Sequence, residues 1–275
     1  MSQGYTSTAV RILPAHDAAF PLAKVAPRST IVIPARMAST RLPRKLLLRE
    51  TGKSVIRHTV EAARYAQLPI DVVVATDHEE IAREVESFGC RAVMTSVDCA
   101  SGTDRVAEVA RALTNVDIVV NVQGDEPEIL GDSIDLAVRL LERDPAAVMS
   151  TLSTPIHSKE QLFDPACVKV TSDRAGRAMY FSRSVIPHPR EWSDDLLCAV
   201  PHLFHQHIGL YAYRRDFLLR IADLPPSRFE QVEKLEQLRV LEAGHTIVVG
   251  TVALHTRGID TPADYRAFVE RMRAR

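Results

Sequence analysis

The sequence is short of cysteine, of patterned glycine and of net charge, and each shortage removes a class of function. Its four cysteines, Cys90, Cys99, Cys167 and Cys198, include no CxxC pair. That excludes a disulfide scaffold and paired-thiol zinc sites, and it leaves reduced thiols in a cytoplasmic protein as the expectation. Eleven glycines among 275 residues form no GxG, and no GxxxxGK[ST] occurs. Neither the dinucleotide fingerprint nor the phosphate-cradling P-loop is therefore present. HExxH, GxSxG and DxD are missing too, which sets aside zincins, α/β-hydrolases with a nucleophile elbow and glycosyltransferases that need a DxD. Basic residues number 34 and acidic ones 35, a formal charge of −1, so no bulk field draws the chain to nucleic acid or to an anionic membrane. Apolar runs such as Val72–Ala75 fall far below the roughly 20 residues of a membrane span.

What is present is a regular alternation. β-branched runs at 30–34, 71–75, 91–94 and 117–122 are separated by segments of helical period at 54–66, 76–88 and 101–113. This is the pattern of βαβ units and a mostly parallel sheet. Thr76 and Asp77 are expected to cap the second helix, and Gly89 to stop it. Beyond Pro127 the pattern loosens into a smaller mixed part. There we expect a helix at 133–143, strands at 148–152, 168–171, 178–181 and 208–212, a helix at 230–243, a strand at 246–252 and a closing helix at 262–273. Residues 1–28 show no apolar core beside a basic start, so they do not read as a secretory leader. They are expected to form a loosely ordered extension to a single domain at 29–275.

Between Arg28 and Arg49, across the first strand and the loop directly after it, the chain carries Arg28, Arg36, Arg41, Arg44, Lys45 and Arg49 with no acidic residue between them. A cationic loop at the carboxyl end of a strand is where an open α/β sheet binds ligands, and guanidinium forks with a lysine suit a polyphosphate. On charge alone, a solvated basic loop fits equally. NVQGDEP ends the fourth strand and places Asp125 where one carboxylate could hold Mg²⁺ with phosphates and water completing the shell. The same residues also make an ordinary turn. Asp260 in GIDTP reads either as a second Mg²⁺ carboxylate or as a plain helix cap. Two carboxylates and a cationic loop point to nucleotidyl or phosphoryl transfer.

Eight blocks carry a resemblance. They are IPARMASTRLPRKLL (33–47), VVVATDHEEIA (72–82), MTSVDCASGTDRVAEV (94–109), NVQGDEP (121–127), VKVTSDRAGRAMYFSRSVIP (168–187), HIGLYAYR (207–214), LEQLRVLEAG (235–244) and GIDTPADY (258–265). In this order and spacing the chain resembles the 3-deoxy-manno-octulosonate cytidylyltransferases, or CMP-KDO synthetases. The resemblance implies a nucleotidyltransferase-like three-layer α/β sandwich and transfer of CMP from CTP to the eight-carbon acid sugar KDO. Pyrophosphate would be released, Mg²⁺ would be required, and the product would serve lipopolysaccharide assembly. It implies a homodimer, with the mixed part near 150–215 as contact and sugar-binding region.

Carried over, Arg36, Arg41 and Lys45 would grip the CTP phosphates, with Ser101 and Gln123 beside the nucleotide. Asp125 and Asp260 would hold Mg²⁺, and Arg41, Lys45 and Asp125 would form the catalytic set. Arg183, His207, Tyr211, Glu236 and Gln237 would contact KDO. Taken without the family, Tyr211 and His207 read equally as strand core or rim, and Glu236 and Gln237 as surface helix. The family usually reads STRLPGKPL, so Arg44 in place of Gly is expected to remove left-handed freedom and reseat the loop, and Leu46 in place of Pro is a second change. The extension has no counterpart. A different acid-sugar acceptor, such as 8-amino-KDO or a sialic acid, and a non-catalytic nucleotide-sugar-binding module are the competing readings.

Overall fold

The computed structural model describes residues 27–99, 101–254 and 258–275. The expected extension lies almost wholly outside the described residues. β1 (Ser29–Ala35), β2 (Pro69–Thr76), β3 (Arg91–Met94) and β4 (Ile118–Asn121) pair in parallel, in the order β3-β2-β1-β4. β8 (His205–Arg214) then runs antiparallel to β4 and to β5 (Ala147–Pro155), and β5 pairs in parallel with β9 (Thr246–Thr251). β6 (Lys169–Ser172) and β7 (Ala178–Ser182) form an antiparallel ribbon that joins the sheet through β8.

Period-two alternation places both faces of the central strands in a core. Ile31 and Ile33 of β1 meet one face. Against them pack α1 (Val55–Ala63), α2 (Glu79–Ser87), α4 (Gly131–Arg143) and α9 (Pro262–Arg273). Val32 points the other way, to α3 (Gly102–Ala112), α6 (Arg215–Leu218) and α8 (Gln237–Glu242). The result is a three-layer α/β sandwich with a mostly parallel central sheet. A smaller apolar cluster of Ile156, Leu162, Cys167, Leu197 and Phe204 lies around α5 (Lys159–Phe163).

Three sequence expectations are corrected. The helix expected at 230–243 is two helices, α7 (Arg228–Glu233) and α8, because Lys234 turns into the left-handed region at φ 54°. The cap of α2 is His78, whose side chain accepts the Glu80 N–H at 3.2 Å; Thr76 stays in β2, and Asp77 accepts from Arg105 at 2.7 Å. α4 begins at Gly131, two residues earlier than expected, against the Tyr65–Ala66 backbone.

That approach permits no side chain. A Cβ at Gly131 would lie 2.6 Å from the Tyr65 carbonyl carbon and 2.7 Å from the Ala66 nitrogen. Gly131→Ala is therefore expected to lower stability by about 1–3 kcal/mol through overpacking. Urea unfolding measures it, and an unchanged midpoint would show that the backbone there yields freely.

Candidate active site

In the order β3-β2-β1-β4 the chain leaves β1 to one side and reaches β4 on the other, so the sheet's topological switch point lies between the carboxyl ends of β1 and β4. A cleft of about 340 Å³ opens there. Its lining includes Arg36 and Arg41 from the loop after β1, Lys45 from a 3₁₀ turn, Ser101 at the start of α3, Gln123 and Asp125 after β4, and Asp260 ahead of α9. All seven residues assigned to nucleotide or metal from the sequence thus face one space. Gly124 makes the closure possible, since a Cβ there would stand 2.9 Å from the Pro34 carbonyl oxygen.

Charge organises the floor of the cleft. The half-buried Lys45 ammonium lies between two carboxylates: it donates to Asp125 Oδ2, to Asp260 Oδ1 at 3.1 Å and to the Ile259 carbonyl at 3.0 Å. Arg41 reaches the same Asp260 oxygen at 2.9 Å. The Ile259 N–H donates to the Asp125 carbonyl at 2.8 Å, which seats the returning chain beside β4. Asp260 is not the helix cap. Thr261 fills that role in a capping box with Asp264, leaving the Asp260 carboxylate to the cleft.

Ser101 also has a local duty: its hydroxyl accepts the Asp104 N–H at 3.1 Å, and the capped end of α3 opens on the cleft. Backbone N–H groups at such an end favour phosphate. Sequence reasoning missed Arg105, which lines the cleft with its guanidinium held by Asp77 at 2.7 Å and by Thr95. Its position one turn into α3, behind SGT, was the available signal. Glu126, next to Asp125, is buried and lines no part of the cleft; burial, and then the neighbouring Asp125, push its carboxyl up to about 8.

A second cavity of about 270 Å³ shares Gly102, Gln123 and Glu236 with the first. Tyr211, Lys234 and Gln237 line it, the Tyr211 hydroxyl lies 3.4 Å from Gln237 Oε1, and Thr103 donates to Glu236 at 2.9 Å. Burial raises the Tyr211 phenol well above its ordinary value, so it stays a neutral donor. Two sugar-side residues sit outside both linings. His207 packs its ring 5.0 Å from Phe181 and 5.5 Å from Tyr211, with Nε2 3.0 Å from Thr151 Oγ1. Arg183 donates to the Glu233 carbonyl at 2.7 Å and the Pro165 carbonyl at 2.9 Å.

The Arg44 expectation is overturned. Arg44 adopts φ 57°, ψ 25°, so the left-handed turn before Lys45 survives without glycine, and its guanidinium pairs with Glu80 of α2. Leu46 is buried in the main core.

The cytidylyltransferase family model matches residues 30–247. A 3-deoxy-manno-octulosonate cytidylyltransferase of Rhodopirellula baltica is 53% identical over 243 residues, 88% of this chain and 97% of its own. Another, of Syntrophotalea carbinolica, is 50% identical over 238 residues, 86% and 94% of the two chains. A solved CMP:2-keto-3-deoxy-manno-octonic acid synthetase complexed with CTP superposes with TM-score 0.83 at 40% identity, over 90% of this chain and 99% of that one. A cytidylyltransferase from Leptospira borgpetersenii shares the fold, with TM-score 0.60 at 17% identity over 90% and 87% of the two chains.

Because the left-handed strain at Arg44 and its exposed ion pair act in opposite senses, Arg44→Gly is expected to keep the melting temperature within about 3 °C of the parent. A larger fall in thermal unfolding would show that the Glu80 pair holds the loop.

Proposed function

Because the chain belongs to the 3-deoxy-manno-octulosonate cytidylyltransferase family, we propose that it transfers CMP from CTP to the anomeric hydroxyl of KDO and releases pyrophosphate. The observation that carries this reading is the convergence of Arg36, Arg41, Lys45, Asp125 and Asp260 on one cleft that continues into a second, hydroxyl-lined cavity.

Asp125 and Asp260 are the residues that would hold Mg²⁺. Their fit is tested by Lys45, whose ammonium occupies a cation position between the two carboxylates. Among the described residues no group of three or more His, Cys, Asp or Glu is placed to hold a metal. Two carboxylates are nonetheless what Mg²⁺ takes when substrate phosphates complete its shell. When bound, the ion neutralises phosphate charge and acidifies the attacking hydroxyl.

The reaction is an in-line displacement in which the anomeric oxygen attacks the α-phosphorus and the bond to pyrophosphate breaks. Little covalent chemistry falls to the protein, so position and charge supply the acceleration. Arg36 and Arg41 bind the triphosphate, and Lys45 takes up the negative charge that grows on the departing pyrophosphate. Ser101 and Gln123 border the nucleotide. Tyr211, Glu236 and Gln237 orient the acceptor through its hydroxyls, with His207 behind Tyr211. Arg183 is the guanidinium proposed for the sugar carboxylate, and it flanks the cavity through Glu233.

We also propose a cytoplasmic homodimer that makes CMP-KDO for lipopolysaccharide assembly. No disulfide joins any of the four cysteines among the described residues, and no described helix is long and apolar enough to cross a membrane. Phe163 and Val200 in the 150–215 part are exposed apolar side chains available to a second copy.

The deciding experiment is pyrophosphate release from CTP with Mg²⁺, with KDO, 8-amino-KDO or N-acetylneuraminate as acceptor. Release with KDO is expected. Release only with another acid sugar would move the substrate, and none with any would leave a binding module. Asp125→Asn is expected to lower turnover at least about 10²-fold while CTP still binds weakly. Near-normal turnover in that variant would remove Asp125 from the mechanism.

A further inference from the structure

Lys169 opens β6 with its whole residue buried, one of the largest fully buried side chains among the described residues. Burying an ammonium without partners costs several kcal/mol, and none of the ion pairs among the described residues includes it. Its partners are instead three backbone carbonyls: Asp164 at 3.0 Å, Cys167 at 2.6 Å and Arg183 at 2.6 Å. An ammonium has three N–H donors and no acceptor, so this set uses its full capacity. A neutral side chain of equal length could not tie all three.

Those carbonyls belong to two segments, the loop that joins α5 to β6 and the end of β7. From there the bonds continue toward the acceptor cavity. The Arg183 guanidinium spans the Pro165 carbonyl at 2.9 Å and the Glu233 carbonyl at 2.7 Å. The Glu233 carboxylate accepts the Arg183 N–H at 2.9 Å and the Ser182 hydroxyl at 2.6 Å. Glu233 is the last residue of α7, and the next four, Lys234 to Gln237, all line the second cavity. Lys234 makes the left-handed turn that starts this wall.

We propose that Lys169 is a positioning residue for the acceptor: through Arg183 and Glu233 it fixes the cavity wall formed by residues 234–237. The proposal rests on the reading that this cavity receives the acid sugar. The wall meets the nucleotide cleft at Glu236, which lines both spaces and accepts from Thr103 of α3 at 2.9 Å, but Arg36, Arg41 and Lys45 stand on the loop after β1, which these bonds do not reach, so the effect of losing Lys169 falls chiefly on one substrate.

The test is Lys169→Met in the full chain, with steady-state kinetics in both substrates. KM for KDO is expected to rise about tenfold or more, with KM for CTP within about twofold. Because both act through one path, K169M/R183A is expected to bind KDO no worse than the weaker single variant. An equal rise in both KM values, or fully additive losses in the double variant, would overturn the proposal and leave Lys169 as an ordinary structural residue. Should K169M fail to fold, K169Q and the parent are compared by amide hydrogen exchange without substrate. Faster exchange confined to residues 164–167 and 233–238 supports the path; no change, or a general increase that includes β1 and β2, overturns it. This arm uses no acceptor, so failure of the parent to use KDO would defeat the substrate reading while exchange still decides the role of Lys169.

Discussion

Asp125 and Asp260 come from segments 135 residues apart in the sequence and point into one space, where their like charges repel unless a cation stands between them. Lys45 supplies that cation and so joins the loop after β1, the end of β4 and the approach to α9 at a single point. Much else in the site follows from this contact. The left-handed turn at Arg44 presents Lys45, the glycine at 124 lets β4 close on Pro34, and the Ile259 N–H on Asp125 brings the third segment in register. A polyphosphate would meet basic side chains that already stand in place, which is the preorganisation that electrostatic catalysis requires.

The nucleotide half was readable from the sequence for a physical reason. Its residues lie in short runs at the carboxyl ends of strands, and parallel topology brings such runs together whatever the rest of the chain does. Arg36, Arg41 and Lys45 followed from β1, and Asp125 from β4. Taken alone, the basic loop read as well as a solvated one and Asp125 as a turn residue, and Asp260 was ambiguous because an aspartate ahead of a helix is usually its cap. Only the geometry, with Thr261 and Asp264 forming the cap, releases Asp260 for the cleft.

The acceptor half was less readable because its residues depend on breaks in periodicity. Residues 230–243 have a continuous helical pattern, and nothing in the lysine at 234 announces a left-handed turn; without that turn Glu236 and Gln237 would read as surface residues of one helix. The Arg44 expectation erred in the converse sense. Glycine removes the steric cost of the left-handed region but is not required for it, and here the rest of the loop, pinned by Lys45, holds an arginine there.

The antiparallel strand β8 explains why donor and acceptor spaces adjoin. In a fully parallel sheet the neighbour of β4 would finish where β4 finishes and send another loop into the nucleotide cleft. Because β8 runs the other way and pairs Tyr211 with Asn121, its earlier residues lie beyond the end of β4. His207 and Tyr211 are thereby carried along the wall that continues from Gln123, and β8 passes on to pair with β6 at Gln206 and Lys169. One reversed strand thus couples the cleft at the switch point to the ribbon that carries Lys169 and Arg183. On the acceptor side, side-chain bonds run from that ribbon to the loop after α5 and to Glu233 at the end of α7, whereas the donor side is set by the sheet itself.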